Sequence, residues 1–225
     1  MYRVKEIIYT LQGEGAHTGR AAILCRFSGC NLWSGYEADR ATARCAICDT
    51  DFVGTDGPGG GQFASAAELA RAIAAHWPSD PCGGGRPYVV CTGGEPLLQL
   101  DPTLIAALHG EGLEVGIETN GTLPIPDGID WVCVSPKPGV PLVVTTGHEL
   151  KLVYPLPGCD PEQFECLAFE RFSLLPLVPP HRSPDPRRVI PGAVGHPHVR
   201  DAVAYCLAHP RWRLTLQTAS LLGIP

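Results

Sequence analysis

The sequence predicts an α/β protein assembled from parallel βα units, and three observations carry that expectation. Short apolar runs rich in β-branched residues recur along the chain, helical patterns lie between several of them, and the reactive residues follow the ends of the apolar runs. Apolar runs of four to eight residues alternating with longer helical stretches describe βα crossovers. In such sheets the reactive groups gather at the carboxyl ends of the strands, where the loops converge over one mouth.

The expected strands are, in order, AAILCRF (21–27), PYVVCT (87–92), LEVGIET (113–119), IDWVCVS (129–135), HELKLVY (148–154) and ERFSLLPL (170–177). Helices are expected over 64–77, 102–112, 161–169 and 198–209, the first with a capping residue at or near Ser65. RWRLTLQTASLLGIP is apolar enough to be tied down as a final strand and tail. The 26 glycines and 23 prolines cluster between apolar runs and mark connections, with Gly54 to Gly61 the expected mobile loop. A chain of 225 residues with 44% hydrophobic content buries a sizeable core, so one domain over 1–225 is expected.

A net charge of -6 argues against a general nucleic-acid binder, which needs a basic surplus on one face, and points to a small ligand. MYRVKEIIYTLQGEG has no signal-peptide apolar region, and no apolar run reaches the roughly 20 residues that span a bilayer. No membrane association and a cytoplasmic location are therefore expected. Ten cysteines in a chain of this length, without an export signal, read as reduced thiols. Cys82, Cys91, Cys133, Cys159, Cys166 and Cys206 lie in apolar or loop contexts and read as packing residues.

Cys30, Cys45 and Cys48 stand apart, separated by fourteen and two residues. Three soft ligands leave one metal position open: a structural zinc site closes with four, whereas an iron-sulfur cubane can keep one iron for a small molecule. A zinc knuckle with Cys25 as fourth ligand is the competing reading. Strand parity opposes it, because if Arg26 points into a polar mouth, Cys25 points to the helical layer. Gly93 and Gly94 allow close backbone approach to a ligand, and Glu95 supplies a carboxylate for a ligand ammonium; a tight turn is the plainer alternative. Asp49 and Thr50 suit either a helix N-cap or a hard-cation site. Ser135 and Lys137 suit a ligand contact or a solvated loop. Arg26, in an apolar strand, suits an anion.

Together these motifs resemble the radical S-adenosylmethionine superfamily, and the long first gap resembles the lengthened cluster loop of one branch of 7-carboxy-7-deazaguanine synthases. The likeness runs through TLQGEG (10–15), RFSGCNLWSG (26–35), CDTDF (48–52), TGGEPLLQL (92–100), ETNGT (118–122), VSPKPG (134–139) and ELKLVYP (149–155), and on to PRWRLTLQT and the terminal GIP. It implies an incomplete parallel βα (TIM-like) barrel with a cluster-binding loop at about 29–62. It implies a 4Fe-4S cluster on Cys30, Cys45 and Cys48. S-adenosylmethionine would meet Ile47, Cys48, Asp49, Gly93, Gly94, Glu95, Ser135, Pro136, Lys137, and the backbone of Leu175, Pro176, Leu177 and Val178. Magnesium would sit on Thr50, and a pterin substrate would meet Leu11, Gln12, Gly13, Glu14, Arg26, Thr92 and Pro225. The implied reaction is the radical ring contraction of 6-carboxy-5,6,7,8-tetrahydropterin to 7-carboxy-7-deazaguanine. A homodimer and an external electron donor such as flavodoxin are implied by the resemblance alone.

Two segments depart from the pattern. Gln217-Thr218-Ala219-Ser220 stands where QTHK is expected, and residues 173–180 (SLLPLVPP) stand where SLQPMDGP is expected. The side-chain roles of the missing Gln, Asp and His do not carry over. A radical enzyme with another substrate and a non-enzymatic zinc module are the alternatives.

Overall fold

The computed structural model describes residues 1–79, 85–178 and 195–224; Cys82, Pro179, Pro180 and Pro225 lie outside them. The described strands are β1 (Tyr2–Leu11), β2 (Ala21–Phe27), β3 (Gly61–Phe63), β4 (Tyr88–Gly93), β5 (Glu114–Thr119), β6 (Trp131–Val134), β7 (Thr146–Tyr154), β8 (Ala168–Pro176) and β9 (Trp212–Leu214). They form one open sheet in the order β3-β1-β2-β4-β5-β6-β7-β8-β9. Every pair from β2 to β9 is parallel. β1 is antiparallel to both β2 and β3, an edge that the βα reading did not contain.

The helices are α1 (Ala66–Ala74), α2 (Pro102–Gly110), α3 (Pro197–Ala208) and the short α4 (Thr218–Leu222). Ser65 caps α1 by accepting a hydrogen bond from the Glu68 amide, and Asp101 caps α2 by accepting from Leu104, each satisfying an amide that the first helical turn leaves free. Leu69, Ala70 and Ile73 of α1 and Leu104, Ile105 and Leu108 of α2 are buried. They meet the outward face of the sheet, where Ile23, Cys25, Phe27, Val89, Cys91, Val115, Ile117, Leu150 and Leu152 join the same core. Each large aliphatic side chain so buried contributes about 1.5–3 kcal/mol.

Two expectations change. The helix expected over 161–169 is a single 3-10 turn, Pro161–Gln163, and β8 already begins at Ala168, paired with Thr146. The sheet register thus overrides the local helical pattern, while Phe164 and Leu167 pack on the core. The connections 120–130 and 135–145 contain no helix, consistent with their Gly and Pro content. Residues 54–61 are fastened to β1: Ile7 donates its amide to the Pro58 carbonyl and Gly57 donates to the Lys5 carbonyl, at 2.8 and 2.9 Å.

Strand alternation sorts the two faces of the sheet. Leu24, Arg26, Thr92, Glu118, Cys133, Lys151, Val153 and Leu175 point to the inner side and line a cavity of ≈ 460 Å³, one residue out of step with the helix-facing core.

Candidate active site

Cys30, Cys45 and Cys48 all line this cavity. Cys45 and Cys48 share a hydrogen bond that pulls the Cys48 thiol down to about 6, aided by the backbone and hydroxyl of Thr50. The same bond, with burial, pushes Cys45 up. Among the described residues no three His, Cys, Asp or Glu side chains close around a single ion; the three thiols instead flank one cavity. Cys25 is fully buried on the opposite face, and burial holds its thiol well above the ordinary value. Parity therefore removes the fourth ligand of a zinc knuckle. No helix begins at Asp49 or Thr50, so the N-cap reading falls away too.

Gly93 and Gly94 serve first to let two backbones meet. Glu95 donates its amide to the Gly29 carbonyl at 2.9 Å, and a Cβ on Gly94 would collide with that carbonyl and stand 3.0 Å from the Cβ of Cys30. Gly93 has φ of +128°, and a Cβ there would collide with the Phe27 carbonyl. Gly94→Ala is therefore expected to cost about 1–3 kcal/mol in a denaturant titration, because it displaces the turn that carries Cys30.

Glu95 itself stands behind the cavity-lining Thr119 and Asn120 and is bonded to both. It is fully buried and accepts from Thr119 Oγ1 (2.7 Å), the Asn120 amide (2.8 Å) and the Leu97 amide (3.0 Å). Burial raises its pKa despite these bonds. It braces the ends of β4 and β5, and Asn120 in turn donates through Nδ2 to Asn31 Oδ1 at 3.0 Å, beside Cys30. Ser135 and Lys137 line the cavity, with Lys137 Nζ donating to the Ser135 carbonyl and hydroxyl at 2.6 and 2.9 Å. Pro136 is absent from the lining, and its carbonyl faces the Cys159 thiol. Ile47, Asp49, Thr50 and Leu175 to Val178 do line it.

The expected substrate contacts Leu11, Gln12, Gly13, Glu14, Arg26 and Thr92 share the same cavity. Arg26 pairs with Glu6 through Nε at 2.7 Å while its side chain borders the cavity. Sequence reasoning missed the group that organises this wall. Lys151, buried within β7, donates to Glu14 Oε2 at 2.8 Å and Glu118 Oε1 at 3.0 Å. Gln12 Nε2 donates to Glu118 Oε1 at 2.9 Å, and Thr92 Oγ1 to Glu118 Oε2 at 3.4 Å. Burial alone would raise the Glu118 pKa, but Lys151, Gln12 and Thr92 more than offset it and hold the carboxyl below its ordinary range. Lys151, which burial would lower, is raised well above its ordinary value by the two carboxylates. The signal lay in HELKLVY, whose charged residues at 149 and 151 alternate with buried leucines.

The C-terminal segment closes this wall. Thr218 donates its amide to the Gly13 carbonyl at 2.9 Å, and Gly15 donates to Thr215 Oγ1 at 2.7 Å. Gln217, Ala219, Ser220 and Ile224 line the cavity. The altered segment thus lies on the cavity wall, with Ala219 against Gly13.

No protein-family model matches the chain. It is 58% identical over 224 residues to the 7-carboxy-7-deazaguanine synthase of Bordetella pertussis, a match covering 100% of this chain and 99% of that protein. The chain belongs to the 7-carboxy-7-deazaguanine synthase family. The synthase of Bradyrhizobium diazoefficiens is likewise 58% identical, over 99% of both chains. The crystal structure of QueE from Escherichia coli superposes with a TM-score of 0.62 at 25% identity, covering 96% of this chain and 94% of that one. As a member of this synthase family the protein is a radical S-adenosylmethionine lyase of 7-deazapurine biosynthesis, dependent on a 4Fe-4S cluster and S-adenosylmethionine. It contracts the ring of 6-carboxy-5,6,7,8-tetrahydropterin to 7-carboxy-7-deazaguanine, with release of ammonia. Three soft thiols on one cavity wall fit such a cluster. No helix among the described residues is long and apolar enough to cross a membrane.

Proposed function

We propose that the ring contraction runs in this cavity on the following division of labour. Cys30, Cys45 and Cys48 hold the cluster, and Ile47, Asp49, Gly93, Gly94, Ser135, Lys137 and the 175–178 backbone flank S-adenosylmethionine. When bound, this pair supplies a carbon radical that takes hydrogen from the substrate. The observation that carries the reading is the coincidence of two sets on one surface: the three thiols and the Gln12–Glu118–Lys151–Glu14 network line the same cavity.

Lys151 pairs with both carboxylates and holds Glu118 ionised, and Glu14 and Glu118 present acceptors to the N–H edge of a pterin, with the Gln12 amide beside them. Arg26 meets the substrate carboxylate, and the Thr50 hydroxyl joins a magnesium ion that binds the same carboxylate, a hard ligand for a hard ion. The domain is single, with 29–62 as its cluster loop. A homodimer, a cytoplasmic setting, an external donor such as flavodoxin and a product bound for queuosine complete the proposal.

Arg26→Met tests the substrate pose. Losing a charge-assisted contact of about 1.5–3 kcal/mol raises KM for the pterin roughly ten- to a hundredfold, with iron content unchanged. An unaltered KM places the carboxylate elsewhere. In the same assay Thr50→Ala is expected to lose its stimulation by magnesium.

A further inference from the structure

The fourteen residues between Cys30 and Cys45 are folded around one guanidinium. They contain a 3-10 helix, Glu37–Thr42, from which Arg40 reaches back to the cysteine turn. Its Nη1 donates to the Ala46 carbonyl at 2.8 Å and to the Cys48 carbonyl at 2.9 Å. Its Nε faces the Glu37 carboxylate at 2.8 Å, and its carbon Cζ lies 4.2 Å from the centre of the Trp33 ring. Trp33 is itself fixed, 7% exposed, edge-on to Phe52 at 5.7 Å and donating Nε1 to the Tyr36 carbonyl at 3.2 Å. Backbone bonds from Arg44 and Cys45 to the Leu32 carbonyl close the base of the loop.

The planar guanidinium fork stacks on an indole and holds the Glu37 carboxylate through Nε while Nη1 reaches two carbonyls, a fixed geometry that the point charge of a lysine does not reproduce. The two carbonyls chosen lie within Cys45-Ala46-Ile47-Cys48, the turn that sets the relative placement of two thiols. With Nη1 engaged by the Cys48 peptide, the positive charge lies beside that turn. The opposing Glu37 side chain is mostly exposed, and its charge is therefore screened by solvent more strongly.

We propose that Arg40 is a positioning residue for the iron-sulfur cluster: it fixes the Cys45–Cys48 turn and places a cation there that favours the reduced cluster. The inference rests on the cluster assignment above and gives the long gap a task. Reduction adds negative charge, so a nearby fixed cation raises the reduction potential, one of the levers by which proteins tune such clusters. The carbonyl bonds act through the ligands' backbone, as supporting hydrogen bonds do at other metal centres.

The test uses the full chain, reconstituted anaerobically without S-adenosylmethionine or substrate, as parent, R40Q, R40K and E37Q. Iron loss to a ferrous chelator and the cluster midpoint potential are measured, with circular dichroism as a check on folding. R40Q is expected to lose iron on the order of 10–100-fold faster and to show a more negative midpoint. R40K returns the potential toward that of the parent while still losing iron faster, because it restores charge without the fork. E37Q tracks the parent. If R40Q does not fold, accelerated iron loss in R40K carries the proposal. R40Q and R40K matching the parent in both measurements overturn it. A parent that takes up no cluster is a different result, which overturns the cluster assignment and the proposal with it.

Discussion

Cys48→Ala yields a folded chain that forms neither 5'-deoxyadenosine nor 7-carboxy-7-deazaguanine, whereas Cys25→Ala retains both activities. The contrast follows from which face of the fold each thiol occupies. Cys48 lines the cavity, where its thiol is lowered to about 6 by Cys45 and Thr50, and removing it leaves two of the three proposed cluster ligands. Cys25 is fully buried in the core between sheet and helices. Its loss costs about 1 kcal/mol, the scale of deleting one methyl-sized group from a packed interior, and leaves the cavity wall unchanged. Iron analysis and a denaturant titration on the two variants separate the effects. Equal iron content in Cys48→Ala and parent contradicts the ligand assignment.

Lys151→Met is expected to be the most destabilising single change on the substrate wall, by about 3–5 kcal/mol, because it leaves two carboxylates facing each other without their cation. That is a large share of the 5–15 kcal/mol by which domains are commonly stable. The pH dependence carries a sign. Glu118 has a folded pKa below its ordinary 4.5, so its stabilisation is present above that value and lost as pH falls through the depressed one. Lys151 has a folded pKa above its ordinary 10.5, so its stabilisation is present below that value and lost as pH rises through the raised one. Parent and variant should thus differ most across the neutral range. In acid the gap should narrow, since protonating Glu118 relieves the unpaired charge in the variant and removes the pair in the parent. Chemical denaturation at pH 7 and pH 4 measures both gaps; equal gaps contradict the network. Combining Lys151→Met with Glu118→Gln should restore part of the loss, since contacting residues couple.

The parallel strands were legible because their apolar runs are short, β-branched and bounded by Gly and Pro, and β2, β4, β5 and β7 lie within a residue or two of the expected spans. Alternation also placed Arg26 and Cys25 on opposite faces, as found. β1 was not recognised: Glu6, between Lys5 and Ile7, lies by a bulge in the pairing with β2 that breaks the two-residue period. The 161–169 stretch has a helical look that its pairing with β7 overrides. At the site, the cysteines and glycines announce themselves by spacing, but the Lys151 network joins residues 106 and 137 positions apart. No local pattern reports such a pairing. Glu95 shows the converse: a motif can place a carboxylate at the mouth of a sheet where its oxygens also brace the next strand.

One anaerobic assay bears on the whole account. Reconstituted protein is given reductant, S-adenosylmethionine and magnesium, with and without 6-carboxy-5,6,7,8-tetrahydropterin, and 5'-deoxyadenosine and 7-carboxy-7-deazaguanine are quantified by chromatography. The account predicts deazaguanine only when the pterin is present, in many turnovers per chain. An intact cluster that cleaves S-adenosylmethionine yet forms no deazaguanine from the pterin would contradict it.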